Sequence, residues 1–90
     1  MISTTHTTTI HAQCPKGGWD YYKCEFRPDD FIEVEAFEQA CDSVRGVQLY
    51  QEKVCEDLSA LLPPGMLTLT GQHGSNTGTV SRTFIVEDQK

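Results

Sequence analysis

Cys14 opens the stretch CPKGGWDYY, and Asp20 follows it by six positions. Once ionised, a thiol is the softest strong nucleophile among the common side chains, and a nearby carboxyl group can supply the proton that its attack on a multiple bond demands. Gly17 and Gly18 allow the chain to double back, which returns Asp20 toward Cys14. The same residues also describe a plain hairpin corner with an incidental thiol. On spacing alone both readings stand. His11 is close enough in sequence to act as a local base, although a solvent-facing strand position is the simpler assignment.

The other cysteines are Cys24, Cys41 and Cys55, widely and unevenly spaced with no CxxC among them, and His6, His11 and His73 form no HxH or HxxxH pair. No metal site is expected from such a set. The three later cysteines fall inside apparent secondary structure without any secretory signal, so they are read as small core residues rather than cystines. That leaves Cys14 as the thiol to explain.

The elements that must hold Cys14 and Asp20 follow from periodicity. Residues 3–13 are rich in threonine and alternate loosely, which predicts a strand with one wet face. After the PKGG turn, WDYYKCEFRP sets Tyr22, Cys24 and Phe26 against Tyr21, Lys23 and Glu25, the second arm of a hairpin. Asp29 and Asp30 are candidate caps for a helix carrying Val34, Phe37, Cys41 and Val44 and ending near Gly46. A second helical period runs through Val47, Tyr50, Val54, Leu58 and Leu61 and stops at Pro63, Pro64 and Gly65. The short join between them predicts helices packed side by side.

MLTLTG reads as a third strand. QHGSNTG reads as a polar corner, and TVSRTFIVE alternates as a fourth strand before a frayed end at residues 87–90. The expected class is α+β: a ββααββ chain forming one domain over residues 1–90, with both helices on one face of an antiparallel sheet.

At 90 residues the chain buries only about two thirds of its unfolded surface, and a four-stranded sheet leaves two edges, so homo-oligomeric assembly with sites between subunits is expected. Thirteen acidic residues against seven basic ones give a formal charge of −6, a poor match to a nucleic-acid backbone. No apolar run is long enough to span a bilayer and no signal-peptide architecture opens the chain. The expectation is a cytoplasmic protein with no membrane partner.

Taken with the ββααββ order, the segments CPKGGWD, FIEVEAF, LYQEKVCEDLSALL and LTLTGQHGSNTGTV resemble the tunnelling-fold (T-fold) enzymes of 7-deazaguanine metabolism. These are the 7-cyano-7-deazaguanine reductases and the short QueF-like enzymes that make the archaeosine formamidine. The resemblance extends from about Ile10 to Phe84. It implies a ring-forming tunnelling fold, Cys14 as the thiol that attacks a nitrile to form a thioimide, and Asp20 as the acid that serves the nitrile nitrogen. It implies Glu52 as the carboxylate that reads the ring N–H and exocyclic amine of the purine-like base. Glu33 matches the glutamate opening the cofactor-side motif, where neighbouring backbone, here Val34, also meets the heterocycle.

Two positions depart from the pattern. The reductases follow that glutamate with two lysines for the phosphates of NADPH, and here the matching positions are Glu35 and Glu38. Carboxylates reverse the sign of a phosphate grip, so no cofactor is expected, and NADPH only if the chain is nevertheless a reductase. The histidine before the recognition glutamate is replaced by Gln51, which hydrogen-bonds but carries no charge.

The resemblance therefore implies ammonia as the second nucleophile and a formamidine as the product. The aminomethyl product of the reductases is the alternative, and a non-catalytic purine-binding ring module is a third. The substrate implied is a 7-deazapurine, as the free base or carried on tRNA or DNA, with the acidic composition favouring the free base.

Overall fold

The computed structural model describes residues 2–16, 19–75 and 78–87. Six elements follow one another: β1 (His6–Gln13), β2 (Trp19–Pro28), α1 (Val34–Asp42), α2 (Gln51–Leu61), β3 (Gly65–Ser75) and β4 (Gly78–Val86). The strands form one antiparallel sheet in the order β1-β2-β3-β4, so the helical excursion between β2 and β3 returns the chain to the strand beside the one it left. This is the ββααββ arrangement expected from the alternation and helical periods.

Pairing sets Ile10 opposite Tyr22, Cys24 opposite Leu69 and Phe26 opposite Leu67. All six are buried, and they form the sheet's contribution to a core that the helices close with Phe37, Cys41, Val54 and Leu58. Burying each large apolar side chain contributes about 1.5–3 kcal/mol. Phe26 and Phe37 lie nearly parallel, with an interplanar angle of 5° and centroids 6.4 Å apart, tying α1 to β2. The opposite sheet face carries Thr7, Thr9, Lys23, Glu25, Thr68 and Thr70 and is polar, as the threonine content of β1 predicts.

Several boundaries differ from the sequence expectation. α1 is not capped by Asp29 or Asp30; it begins four residues after Asp30, with Glu33 at the N-cap and no side-chain cap. The Asp29 N–H instead donates to the Pro64 carbonyl at 3.0 Å, continuing the β2–β3 seam past its last pair. Val34 is exposed, while Ala40 joins Phe37, Cys41 and Val44 on the buried face.

α2 begins at Gln51 rather than near Val47. The linker 43–50 lies along β1, where Gln13 N–H donates to Val47 O at 2.9 Å and Gly46 N–H donates to His11 O at 2.8 Å. Gly46 holds φ at 74°, a left-handed conformation that suits glycine, and so lets the linker turn onto the strand. The helices are therefore joined by an edge-covering segment, not a tight turn. Part of the β1 edge is thereby satisfied within the chain.

The polar stretch expected as a corner is largely strand, since β3 continues to Ser75 and β4 starts at Gly78. Gly17, Gly18, Asn76, Thr77 and the end at residues 88–90, all named in the sequence reading, lie outside the described residues. No helix among the described residues is long and apolar enough to cross a membrane.

Candidate functional site

Inner-face positions alternate along β1 and β2. Ala12 is buried and pairs with Asp20, and Cys14 follows Ala12 by two residues just past the strand end. The two arms of one hairpin thus bring Cys14 and Asp20 to the helix side of the sheet at its rim. The α2 start contributes Tyr50, Gln51 and Glu52, and β4 contributes Arg82. With Lys16 these residues line a cleft of about 330 Å³.

Cys14 and Asp20 are both partly buried, Gln51 is buried, and Glu52 is exposed at the cleft mouth. All four thiols of the chain are free, and Cys14 is the one that is not buried. This is the placement that nucleophilic use of Cys14 requires.

Gln51 is the buried polar side chain of the helix layer, 3% exposed. Its Nε2 donates to the Leu69 carbonyl at 3.1 Å and to the Arg82 carbonyl at 2.9 Å, which locks the first turn of α2 onto β3 and β4. Such bonds satisfy a buried amide and fix the helix start against the sheet. Gln51 therefore lines the cleft while its amide nitrogen serves the scaffold.

Gly71, opposite both Tyr22 and Arg82, keeps this junction open. A Cβ there would stand 2.6 Å from the Tyr22 ring and 3.1 Å from Gln51 Oε1.

The α2 N-cap, Tyr50, makes no side-chain cap bond, so the positive end of an eleven-residue helix adjoins the cleft. The cleft thus joins this helix end and two cations, Lys16 and Arg82, with two carboxyl side chains, Asp20 and Glu52. Glu52 is not absorbed by its neighbour. Lys53 pairs along the helix with Asp57 at 3.0 Å and Glu56 at 4.0 Å.

Behind the cleft, the Tyr22 hydroxyl donates to Asp20 Oδ2 at 3.1 Å. Burial first, then this bond, holds the phenol well above its ordinary range, so it remains a donor at any working pH.

Not every residue singled out in the sequence reaches this place. Glu33 and Val34 stand exposed at the start of α1 and do not line the cleft within one chain. His11 lies on the other sheet face, with its ring edge-on to Tyr21 at 4.5 Å, so it is not the local base of Cys14. The Trp19 and His73 side chains lie outside the described part of the structure. Among the described residues no group of three His, Cys, Asp or Glu side chains is placed to hold a metal ion.

Conversely, the helical period assigns Tyr50 to the core, and nothing in the sequence reading assigns Arg82 or the Tyr22 hydroxyl to a site. Arg82 does leave a signal: it is a charged residue in the same parity as Val80, Phe84 and Val86, where a core-facing strand normally carries apolar side chains.

No family model and no curated protein matches the chain. Among solved structures, the crystal structure of the archaeosine synthase QueF-Like in the apo form is similar, with a TM-score of 0.61 and 22% sequence identity. The likeness covers 92% of this chain and 91% of that one. The chain therefore has the tunnelling-fold architecture expected from its sequence.

Proposed function

We propose that the protein is a QueF-like enzyme that converts the nitrile of 7-cyano-7-deazaguanine, or of a carrier of that base, into a formamidine through a covalent Cys14 thioimide. The observation that carries this reading is the convergence of Cys14 and Asp20, from the β1–β2 hairpin, with Glu52, from the start of α2, on one cleft. The similar archaeosine synthase adds to it, since its name points to the same product class on the same fold.

In the first step the Cys14 thiol gives up its proton as the sulfur bonds to the nitrile carbon, one π pair of the C≡N bond moves to nitrogen, and Asp20 relays that proton to the nitrogen. In the second step ammonia adds to the thioimide carbon. The C–S bond then breaks with its electron pair returning to sulfur, and proton transfers leave the formamidine and the free thiol. The sum is nitrile plus ammonia, so no redox cofactor enters. Glu52 accepts hydrogen bonds from the ring N–H and exocyclic amine, a charge-assisted pairing that suits its place at the cleft mouth.

Glu33 and Val34 take part, in this reading, from a neighbouring copy in a homo-oligomer whose sites lie between subunits. A cytoplasmic setting with a free 7-deazapurine or a modified tRNA or DNA as substrate fits the same chemistry.

The reductase alternative needs cations for NADPH phosphates. Lys23 is paired with Glu25 at 3.4 Å and Arg45 with Asp42, so two of the available cations are already engaged. Supplying the nitrile with ammonium and identifying the product by mass spectrometry tests the proposal. A formamidine dependent on ammonium is the expected result. Nitrile-dependent NADPH consumption with an aminomethyl product would establish the reductase instead, and tight binding without turnover would establish a binding module.

A further inference from the structure

Tyr22 occupies a position where a phenylalanine would serve packing equally well. Its ring is fully buried in the core, bordered by Gly71 across the β2–β3 pair. A hydroxyl in such a place costs desolvation unless it has a partner. Its partner is the Asp20 carboxylate, two residues earlier on the same sheet face, at 3.1 Å. Asp20 lines the cleft while Tyr22 stands behind it.

We infer that Tyr22 is a positioning residue that holds the Asp20 carboxyl group in the orientation from which it serves the atom attacked by Cys14. The inference rests on the proposed thioimide chemistry and extends it to a residue outside the cleft lining.

Three features support it beyond the single distance. An O–H···O bond to one carboxyl oxygen restricts the rotation of a short side chain that has no other hydrogen-bond partner among the described residues. Gly71 leaves the space that the ring needs to reach this pose, because a Cβ at that position would come 2.6 and 2.7 Å from ring carbons Cδ1 and Cε1. The same hydroxyl also feels Cys14, which disfavours its ionisation, and Arg82, which favours it, so it lies within the electrostatic reach of both cleft residues. The phenol, carboxyl, thiol and guanidinium form one electrostatic neighbourhood, with the phenol as its buried end.

Removing the hydroxyl while keeping the ring isolates this role. In Tyr22→Phe, the rate of adduct formation with the nitrile, followed by intact mass, is expected to fall by about tenfold, the scale of one hydrogen bond to a charged group.

The decisive comparison repeats the substitution in Asp20→Asn. If Tyr22 acts through the carboxylate, Asp20→Asn and the double variant react at rates within about twofold of each other. If it acts only through packing, Tyr22→Phe costs the same factor in both backgrounds, and the inference is overturned. An unchanged rate in Tyr22→Phe, with the parent chain forming adduct, also overturns it while leaving the thioimide proposal intact. Absence of adduct in the parent chain defeats the thioimide proposal itself, and the inference with it. Circular dichroism on each variant verifies that the rates compared are those of folded protein. Should Tyr22→Phe not fold, Gly71→Ala, which keeps the hydroxyl but crowds the ring, is expected to slow the reaction when made in the parent chain and not when made in the Asp20→Asn variant.

Discussion

Two places in the molecule hold cysteine, and they treat it oppositely. At the junction of β2 with the helices, Cys24, Cys41 and Cys55 are packed into the core, the first two fully buried. Contact with Cys41 and then burial push the Cys24 thiol up, and burial raises that of Cys55 from 9.0 to about 11. At the β1–β2 turn, Cys14 stands one step beyond the strand, in a cleft shared with Lys16, Arg82 and the open start of α2. Residue type is constant; what changes is access, since packing closes off the core thiols while Cys14 borders an open cleft. Reactivity follows from where the hairpin ends relative to the helix layer.

The largest effect expected from this contrast comes from removing the cleft thiol. Cys14→Ala should lower adduct formation by at least about a thousandfold, because the nucleophile itself is lost. Its stability should stay within about 0.5 kcal/mol of the parent, since little packing is removed at a partly exposed site. Cys24→Ala should do the reverse, destabilising the fold while leaving the adduct rate comparable.

Alkylation sharpens the same difference. With iodoacetamide near neutral pH, Cys14 should react at least about a hundredfold faster than the core thiols, which become available only when the fold opens. Peptide mapping after short exposure reads the ratio. Equal labelling of the four sites would remove the contrast.

A third prediction concerns alkaline stability. The folded chain keeps the Cys55 proton up to about pH 11, whereas an unfolded thiol releases it near 9.0. Stability is thus complete below about pH 9 and declines as pH rises toward 11, by about 2–3 kcal/mol from this group. Cys24 is raised and its partner Cys41 lowered, so the contributions of that pair to the slope oppose each other. Denaturant midpoints across that range measure it, and Cys55→Ala should flatten the curve.

The smallest expected change lies at the wall shared by the two regions. Gly71→Ala should cost about 1–3 kcal/mol, because the added methyl meets the buried Tyr22 ring and Gln51 with little room to yield.

How much of this is legible in the sequence depends on which interactions decide each element. The alternation of Tyr22, Cys24 and Phe26 reads directly because a two-residue period and burial coincide in β2. The helix starts do not read correctly because tertiary hydrogen bonds override local cap chemistry. Asp29 looks like a cap but extends the sheet seam, and Val47 fits the helical stripe but accepts a bond from Gln13. β3 runs further than expected because Gly71, Gln72, His73 and Gly74 carry polar or absent side chains that hide a strand period.

In the site, Cys14, Asp20 and Glu52 are marked by type and by the family resemblance, and the fold brings all three to one cleft. Tyr50 is hidden because it comes to the site through packing of elements distant in sequence, and Arg82 shows only as a charge among the apolar positions of its strand. The Tyr22–Asp20 bond is half visible: the two residues share a strand face, but the rotamers that join them follow from the gap at Gly71.

The most direct test of the central claim is intact-mass analysis of the parent protein after incubation with 7-cyano-7-deazaguanine without ammonium, followed by peptide mapping. The predicted result is a gain equal to the whole nitrile, carried on Cys14. No mass gain, or a gain carried by another residue, would contradict it.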